Sequence, residues 1–333
     1  MRTTLMIFCV AAAVLATGCP PPKGGTTGGG GGGTAINPGA CGDLSADAVT
    51  RKLHSFLAAS AELDRSTLEL EGSVRDACAR MATELGIPTD GDTRTVCARA
   101  TAELEANLQV SVSQEQRLVT RYVPPVCSSQ IELTAGIVAQ CEASVAADVS
   151  VRCEGSCGGT CSGACDGACS SGGAGGQCNG TCNGTCNGTC SGSCNGYATV
   201  DASAECRASA EIQATVHTEC TEPRVEVVTE TVTIVDDSTF QRAMAAINAG
   251  MPTLLRVGAK STLVGKALVE WVKTGASLVR SSGQLIGALG ERGVCVAGQI
   301  AATVAAASQI QARVSISIEV SASVSASAGG QPQ

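Results

Sequence analysis

Two hydrophobic periods divide this chain. From Cys127 to Cys153 the odd positions are mainly apolar (Ile131, Leu133, Ala135, Ile137, Ala139, Ala143, Val145, Ala147, Val149, Val151) and the even ones mainly polar. From Cys194 to Cys220 the parity reverses, with Ala198, Val200, Ala202, Ala204, Ala208, Ala210, Ile212, Ala214 and Val216 on the apolar side. Period two predicts strands. Residues 45–85 instead show helical spacing (Leu53, Phe56, Leu57, Ala61, Leu68, Leu70, Val74, Ala77, Met81). Helix resumes over 93–107 and 238–310, the latter with Asp237 or Ser238 as its cap. Trp271, among Leu263, Leu268, Val272 and Leu278, reads as a core aromatic. Strand-like pieces begin at Leu108 and Val225, placing Arg121 opposite Glu226 and Arg117 opposite Glu230. Residues 314–328 alternate strictly and predict an edge strand.

The cysteines organise the strands. Ten lie in a repeat of the unit Cys-x-Gly-x: Cys153, Cys157, Cys161, Cys165 and Cys169, then Cys178, Cys182, Cys186, Cys190 and Cys194. Each block holds five, so pairing within a block strands a thiol and pairing between blocks strands none. A turn at residues 170–177 makes the chain mirror itself, facing Cys169 with Cys178, Cys165 with Cys182, Cys161 with Cys186, Cys157 with Cys190 and Cys153 with Cys194. The residue numbers of these pairs add to one constant. So do Cys141 with Cys206 and Cys127 with Cys220, which lie outside the repeat, where nothing forces the symmetry. Odd then opposes even, apolar faces apolar, and every rung falls in the same class of site across an antiparallel ladder. Cys78 and Cys97 flank the loop at 86–91 and pair across it. Cys41 and Cys295 pair by elimination.

These readings predict an α+β fold, a helical body carrying a long antiparallel β-hairpin arm with a disulfide ladder and additional edge strands. The regions are 41–107 helical, 108–236 the arm with its repeat at 153–194, 237–311 helical, 312–328 a C-terminal strand and 329–333 a tail. Extended, residues 127–169 would reach roughly 140 Å. Pro124 and Pro125, nearly opposite Pro223, predict a break at the arm's base.

Composition places the chain. It has 333 residues, 20 Cys and 40 Gly, but one Trp, two Tyr and three Phe, so a core of Ala and Val is thin. A net charge of −8 and a pI near 4.9 argue against nucleic acid. Residues 1–18 carry Arg2 and an apolar run from Leu5 to Leu15, too short to span a bilayer. The run ends Leu15-Ala16-Thr17-Gly18-Cys19, which resembles the lipobox of bacterial lipoproteins. That resemblance implies acylation at Cys19 and a membrane anchor, and Pro20 after it implies the outer membrane. Residues 19–40 follow as the lipidated Cys and a Pro- and Gly-rich tether. Removing Cys9 and acylating Cys19 leaves eighteen cysteines, an even number in an exported chain, for which disulfides are the default.

Chemistry is otherwise sparse. His54 and His217 are the only histidines, neither with a ligand partner in sequence, and the glycines near Gly28 follow no strand. No enzyme, cofactor or resident metal is expected. Asn179, Asn183 and Asn187 head Asn-Gly-Thr acceptors and read as the arm's polar face. The expected role is structural, adhesive or envelope-assembling, with envelope proteins or a second copy as partners. The alternative is a thiol-rich metal-binding lipoprotein, since the Cys-Gly repeat resembles metallothionein-like sequences in composition and its spacing suits zinc.

Overall fold

A computed structural model describes residues 36–44, 47–113, 119–146, 149–171, 176–228 and 233–332. The lipobox, Cys19 and residues 20–35 of the tether lie outside them, as do Arg117 and Glu230.

The body is built on three long helices, α1 (Ala48–Leu85), α5 (Asp237–Leu289) and α6 (Glu291–Ser327), joined by α2 (Thr93–Ser111) and α4 (Ala204–Val216). Asp47 caps α1 by accepting from the amides of Val49 and Thr50. Gly86, at φ +74, ends it, with the Ile87 amide bonded to the Ala82 carbonyl. The core fills with Phe56, Leu57, Leu63, Met81, Ile247, Met251, Ile300 and Ile310. Trp271 lies at its centre, 1% exposed, its indole donating to Ser60 Oγ at 2.8 Å. Small residues let the helices close. A Cβ on Gly250 would stand 2.9 Å from the Ala77 carbonyl of α1. Cys41–Cys295 ties the N-terminal end to α6, and Cys78–Cys97 joins α1 to α2.

Two predicted strands are helices. Residues 131–142 form α3 (Ile131–Glu142), burying Ile131, Thr134, Ala135, Val138 and Ala139, and the C-terminal half of the arm's base forms α4. In α3 Ile131 and Val138 are buried while Leu133 is exposed, which breaks the alternation; in α4 the alternation is mostly alanine, the strongest helix former. Its methyl is small enough to bury on several sides of a helix, so alternation does not select one face. Cys141–Cys206 joins α3 to α4. Residues 314–327 also continue as helix in α6, not as an edge strand. Val314, Ser317, Val320, Ser321 and Val324 are buried at helical spacing. The serines tolerate this because Ser317 donates to the Arg313 carbonyl at 3.0 Å, and Ser321 to the Ser317 and Leu254 carbonyls at 2.7 Å. Leu108–Ser111, predicted as strand, completes α2. The cap of α5 is Asp236, accepting from the Thr239 amide, with Asp237 and Ser238 already helical.

A small sheet pairs β1 (Val119–Val123) with β9 (Arg224–Val228), Arg121 opposite Glu226, and β10 (Gly330–Pro332) lies parallel to β1. The larger sheet contains β2 (Cys127–Gln130), β3 (Val151–Cys157), β4 (Cys161–Cys169), β5 (Gln177–Gly180), β6 (Cys182–Cys190), β7 (Ser193–Val200) and β8 (Glu219–Cys220). Its order is β5-β4-β6-β3-β7-β2-β8.

That order shows the antiparallel arm wound on itself, and so shorter than its fully extended length. The rising strands β3 and β4 alternate with the descending β5, β6 and β7. Against β6, Cys161 faces Cys190 and Cys165 faces Cys186; against β5, Cys161 faces Gly180. The disulfide joins Cys161 to Cys186, a partner lying between those two registers. Each half of the hairpin therefore bonds the other along both edges, and the ribbon winds into a coil with sulfur inside. Winding satisfies edges that a lone two-stranded ribbon leaves open. Glycine makes it sterically feasible. Gly163, at φ +151, lies so close to Gly188 that a Cβ on the latter would stand 2.6 Å from its Cα.

Gly184→Ala should test this contact, because its methyl would overlap the Asp166 carbonyl. Thermal unfolding with thiol titration should show a variant destabilised by about 1–3 kcal/mol, or released with free thiols. Gly72→Ala, exposed in α1 with open space at its Cβ, should stabilise by about 1 kcal/mol. Equal effects at the two positions would refute the close-packed coil.

Candidate functional site

The coil and the cleft at its root are the two features that carry chemistry. In the coil, Cys153–Cys194, Cys157–Cys190, Cys161–Cys186, Cys165–Cys182 and Cys169–Cys178 cross the interior, with Cα separations of 5.6 to 5.9 Å. Cys127–Cys220 closes the base between β2 and β8. Cys161, Cys186 and Cys194 are fully buried, and only Cys165 and Cys169, near the tip, are partly open. Between the cysteines, Asn183, Thr185, Asn187 and Thr189 of β6 are exposed, as are Asn179 and Thr181. The repeat unit thus has a sulfur-and-glycine inside and an amide-and-hydroxyl outside. Every cysteine of the coil is joined in a disulfide.

At the root, β3 and β7 meet α4 and α5 around a cleft of about 350 Å³. Tyr197 of β7 donates its hydroxyl to Glu211 Oε2 of α4 at 2.8 Å, and both residues are buried. Burial pushes the Glu211 carboxyl up to about 7; the Tyr197 hydrogen bond pulls the other way, Glu270 and Glu154 push it further up, and Arg207 opposes them. Burial, then the Glu211 charge, raises the Tyr197 phenol and keeps it protonated. Lys266 of α5 stands 5.5 Å from the Tyr197 ring centroid and 3.6 Å from Glu154 of β3. Arg207 lies 3.7 Å from Asp201 and 3.9 Å from Glu270, and its Nε is buried with no partner among the described residues. Cations and carboxylates of β3, α4 and α5, with Asp201 just after β7, thus interleave, and this clasps the coil to the body.

A second clasp lies beside α3. Partial burial opposes ionisation of Glu142, yet hydrogen bonds from Lys52 and Ser203 hold its carboxyl down to about 2. The Lys52 ammonium is 2.5 Å away and the Ser203 amide 2.8 Å. These partners join α1, α3 and the start of α4.

Of the residues singled out in sequence, His54 is exposed on α1 and His217 lies 3.2 Å from Glu62. Among the described residues, no three His, Cys, Asp or Glu side chains gather as a metal site. The cleft was not read from sequence, because Glu205, Arg207 and Glu211 fall on the polar side of a presumed strand. The available signal was Tyr197, the sole aromatic between Tyr122 and Phe240. No known family, curated protein or solved structure matches this chain.

Glu211 makes stability pH-dependent. An ordinary glutamate titrates near 4.5, and this one at about 7 when folded. Between those values the folded chain holds a proton that the unfolded chain has released. The contribution is complete below the ordinary value and is lost as pH rises through about 7. Urea unfolding of the oxidised protein should show wild type losing stability between pH 5 and 8 relative to Glu211→Gln, which keeps an acceptor for Tyr197. Parallel pH profiles would exclude this account. The capping carboxyls of Asp47, Asp92 and Asp236, lowered by helix-start hydrogen bonds, act in a more acidic window.

Proposed function

We propose that this chain is a lipid-anchored protein of the bacterial cell envelope, held to the outer membrane through Cys19, whose disulfide-filled coil serves as a rigid structural, adhesive or assembly element. The carrying observation is the coil itself. Five disulfides within about forty residues, three of them buried at both cysteines, with glycine against glycine, leave its shape little conformational freedom. An exported location supplies the oxidising conditions such a ladder needs. Its outward Asn and Thr side chains present a regular polar surface that suits contact more than catalysis. The lipobox-like segment and the Gly-rich tether support placement at a membrane, with the body standing off the surface.

Two experiments test the reading. Cys19→Ser should leave an uncleaved precursor or release the protein from the membrane fraction; unchanged retention and unchanged mass would dispose of the anchor. For the coil, removing Cys165–Ala168 together with Asn183–Cys186 keeps the mirror symmetry and leaves four rungs. That paired deletion should export normally, show no free thiol and retain surface function. Removing Cys165–Ala168 alone strands one cysteine and should lower export. If the two deletions behave alike, or if one Asn or Thr substitution in the repeat abolishes function, the spacer reading fails. Metal bound to free thiols in the native protein would favour the metal-binding alternative.

A further inference from the structure

The helical hairpin of α5 and α6 carries a surface that the body leaves uncovered. On α5, Val269, Val272, Ala276, Val279, Gly283 and Ile286 are all exposed, at alternating intervals of three and four residues. On α6, Val294, Ala297, Ala301, Val304 and Ser308 repeat the same intervals, Ala297 half-buried and the others exposed. Val269 is 56% exposed and Val294 59%. The two stripes border one groove, since Val272 and Ala276 of α5 line a small apolar crevice with Val304 and Ala307 of α6. Neither stripe contains a charge.

An interval averaging 3.5 residues keeps a seam facing a helix that runs alongside, and it is how a helix recognises another helix. We propose that this face binds the same face of a second copy of the chain, forming a four-helix bundle about a two-fold axis. Size favours this. From Val272 to the tip at Gly290 the face runs about 27 Å at 1.5 Å per residue, and two helices make it about 20 Å wide. That is about 500 Å² per copy and about 1,000 Å² in all, the lower bound for a specific interface. Charge sets the direction. Lys273 and Arg280 flank the α5 stripe, and Glu291 sits at the hairpin tip. Copies packed in the same direction would set Lys273 against Lys273 and Arg280 against Arg280. Copies packed head to tail over about 25 Å bring the tip Glu291 of each to the level of Lys273 of the other, a self-complementary arrangement.

A bilayer is the competing occupant, because α6 is long and apolar enough to cross one. The structure favours a helix. The apolar positions form a stripe rather than a belt, and Arg280, Glu291 and Arg292 lie at the end that would enter lipid.

Sedimentation of the purified full chain over a concentration series should show a monomer–dimer equilibrium. Val279→Glu, at an exposed position, should keep the helical circular dichroism and weaken association about a hundredfold. Lys273→Glu and Glu291→Lys should each weaken the dimer, and the double variant should restore it, which a merely structural role for either residue would not. A wild-type monomer at all concentrations overturns the proposal, as does a dimer indifferent to Val279→Glu. Flotation with phosphatidylethanolamine–phosphatidylglycerol vesicles that depends on Val279, without a dimer, would assign the face to lipid. None of these outcomes bears on the role of the coil.

Discussion

Everything in the arm follows from substituting sulfur for a hydrocarbon core. A ribbon whose inward positions are cysteine and glycine has no large side chain to bury. Burial of apolar area, the usual source of stability, is therefore small per residue here. What holds the ribbon is restriction of the unfolded chain and close backbone contact. The disulfides are nested. Cys127–Cys220 spans 93 residues, Cys141–Cys206 spans 65, and the innermost, Cys169–Cys178, only nine. Once one rung exists, the next closes a loop of only a few residues on each side. Each added rung thus removes far less entropy than its sequence separation suggests, and the contributions of about 2–4 kcal/mol expected of isolated disulfides do not add.

Nesting also raises a problem of register. A four-residue repeat slipped by one unit looks the same locally, and the ladder does contain the slipped contact, with Cys161 facing Cys190 while bonded to Cys186. Local contacts inside the repeat look alike in the two, although the slipped one would leave Cys153 and Cys178 over. The asymmetry comes from outside it. Cys141 and Cys206 sit on α3 and α4, which pack on the body, and Cys127 and Cys220 lie directly opposite one another in β2 and β8. These fixed points at the base determine which cysteine meets which above them. The five-fold count in each half makes any within-block solution leave a thiol over.

Pairing was legible in the sequence because symmetry does not depend on secondary structure. The mirrored spacing leads to the same partners whether Cys141 stands on a strand or a helix, so the disulfides it joins are those seen in the structure even though α3 and α4 were read as strands. Secondary structure was less legible wherever alternation rested on Ala and Ser. Ala leaves the buried face undeclared in α4 and helix propensity decides there, whereas the Val and Ile of 314–320 favour strand and are helical in α6 because packing of Val314, Ser317, Val320 and Val324 against the body overrides propensity. Where large side chains mark the face, as with Leu53, Phe56 and Leu57 on α1 or Trp271 on α5, the helices were plain. The winding of the ribbon and the Tyr197–Glu211 cleft were hidden for another reason. Both depend on contacts among segments far apart in the chain, and a local period does not encode which edge a strand presents to which neighbour.

The two halves of the molecule therefore rest on different chemistry, and their junction matters more than its size suggests. Among the described residues the body has two of nine disulfides and the larger packed core; the arm has seven and a smaller core of cysteine with a few aliphatics such as Ile131, Val138, Val151 and Val200. Between them stand the Tyr197–Glu211 bond, the Lys266–Glu154 and Arg207–Glu270 pairs and the Lys52–Glu142 clasp. Half-exposed ion pairs such as Lys266–Glu154 contribute little individually, so orientation of the coil on the body depends on the buried Tyr197–Glu211 contact and on Cys141–Cys206. A covalent link sets distance without setting angle, whereas the buried hydrogen bond between β7 and α4 sets angle. That division explains why a lone tyrosine and a desolvated glutamate lie where the last repeat ends: a rigid coil presents its surface in a defined direction only if its first turn cannot rotate on the body.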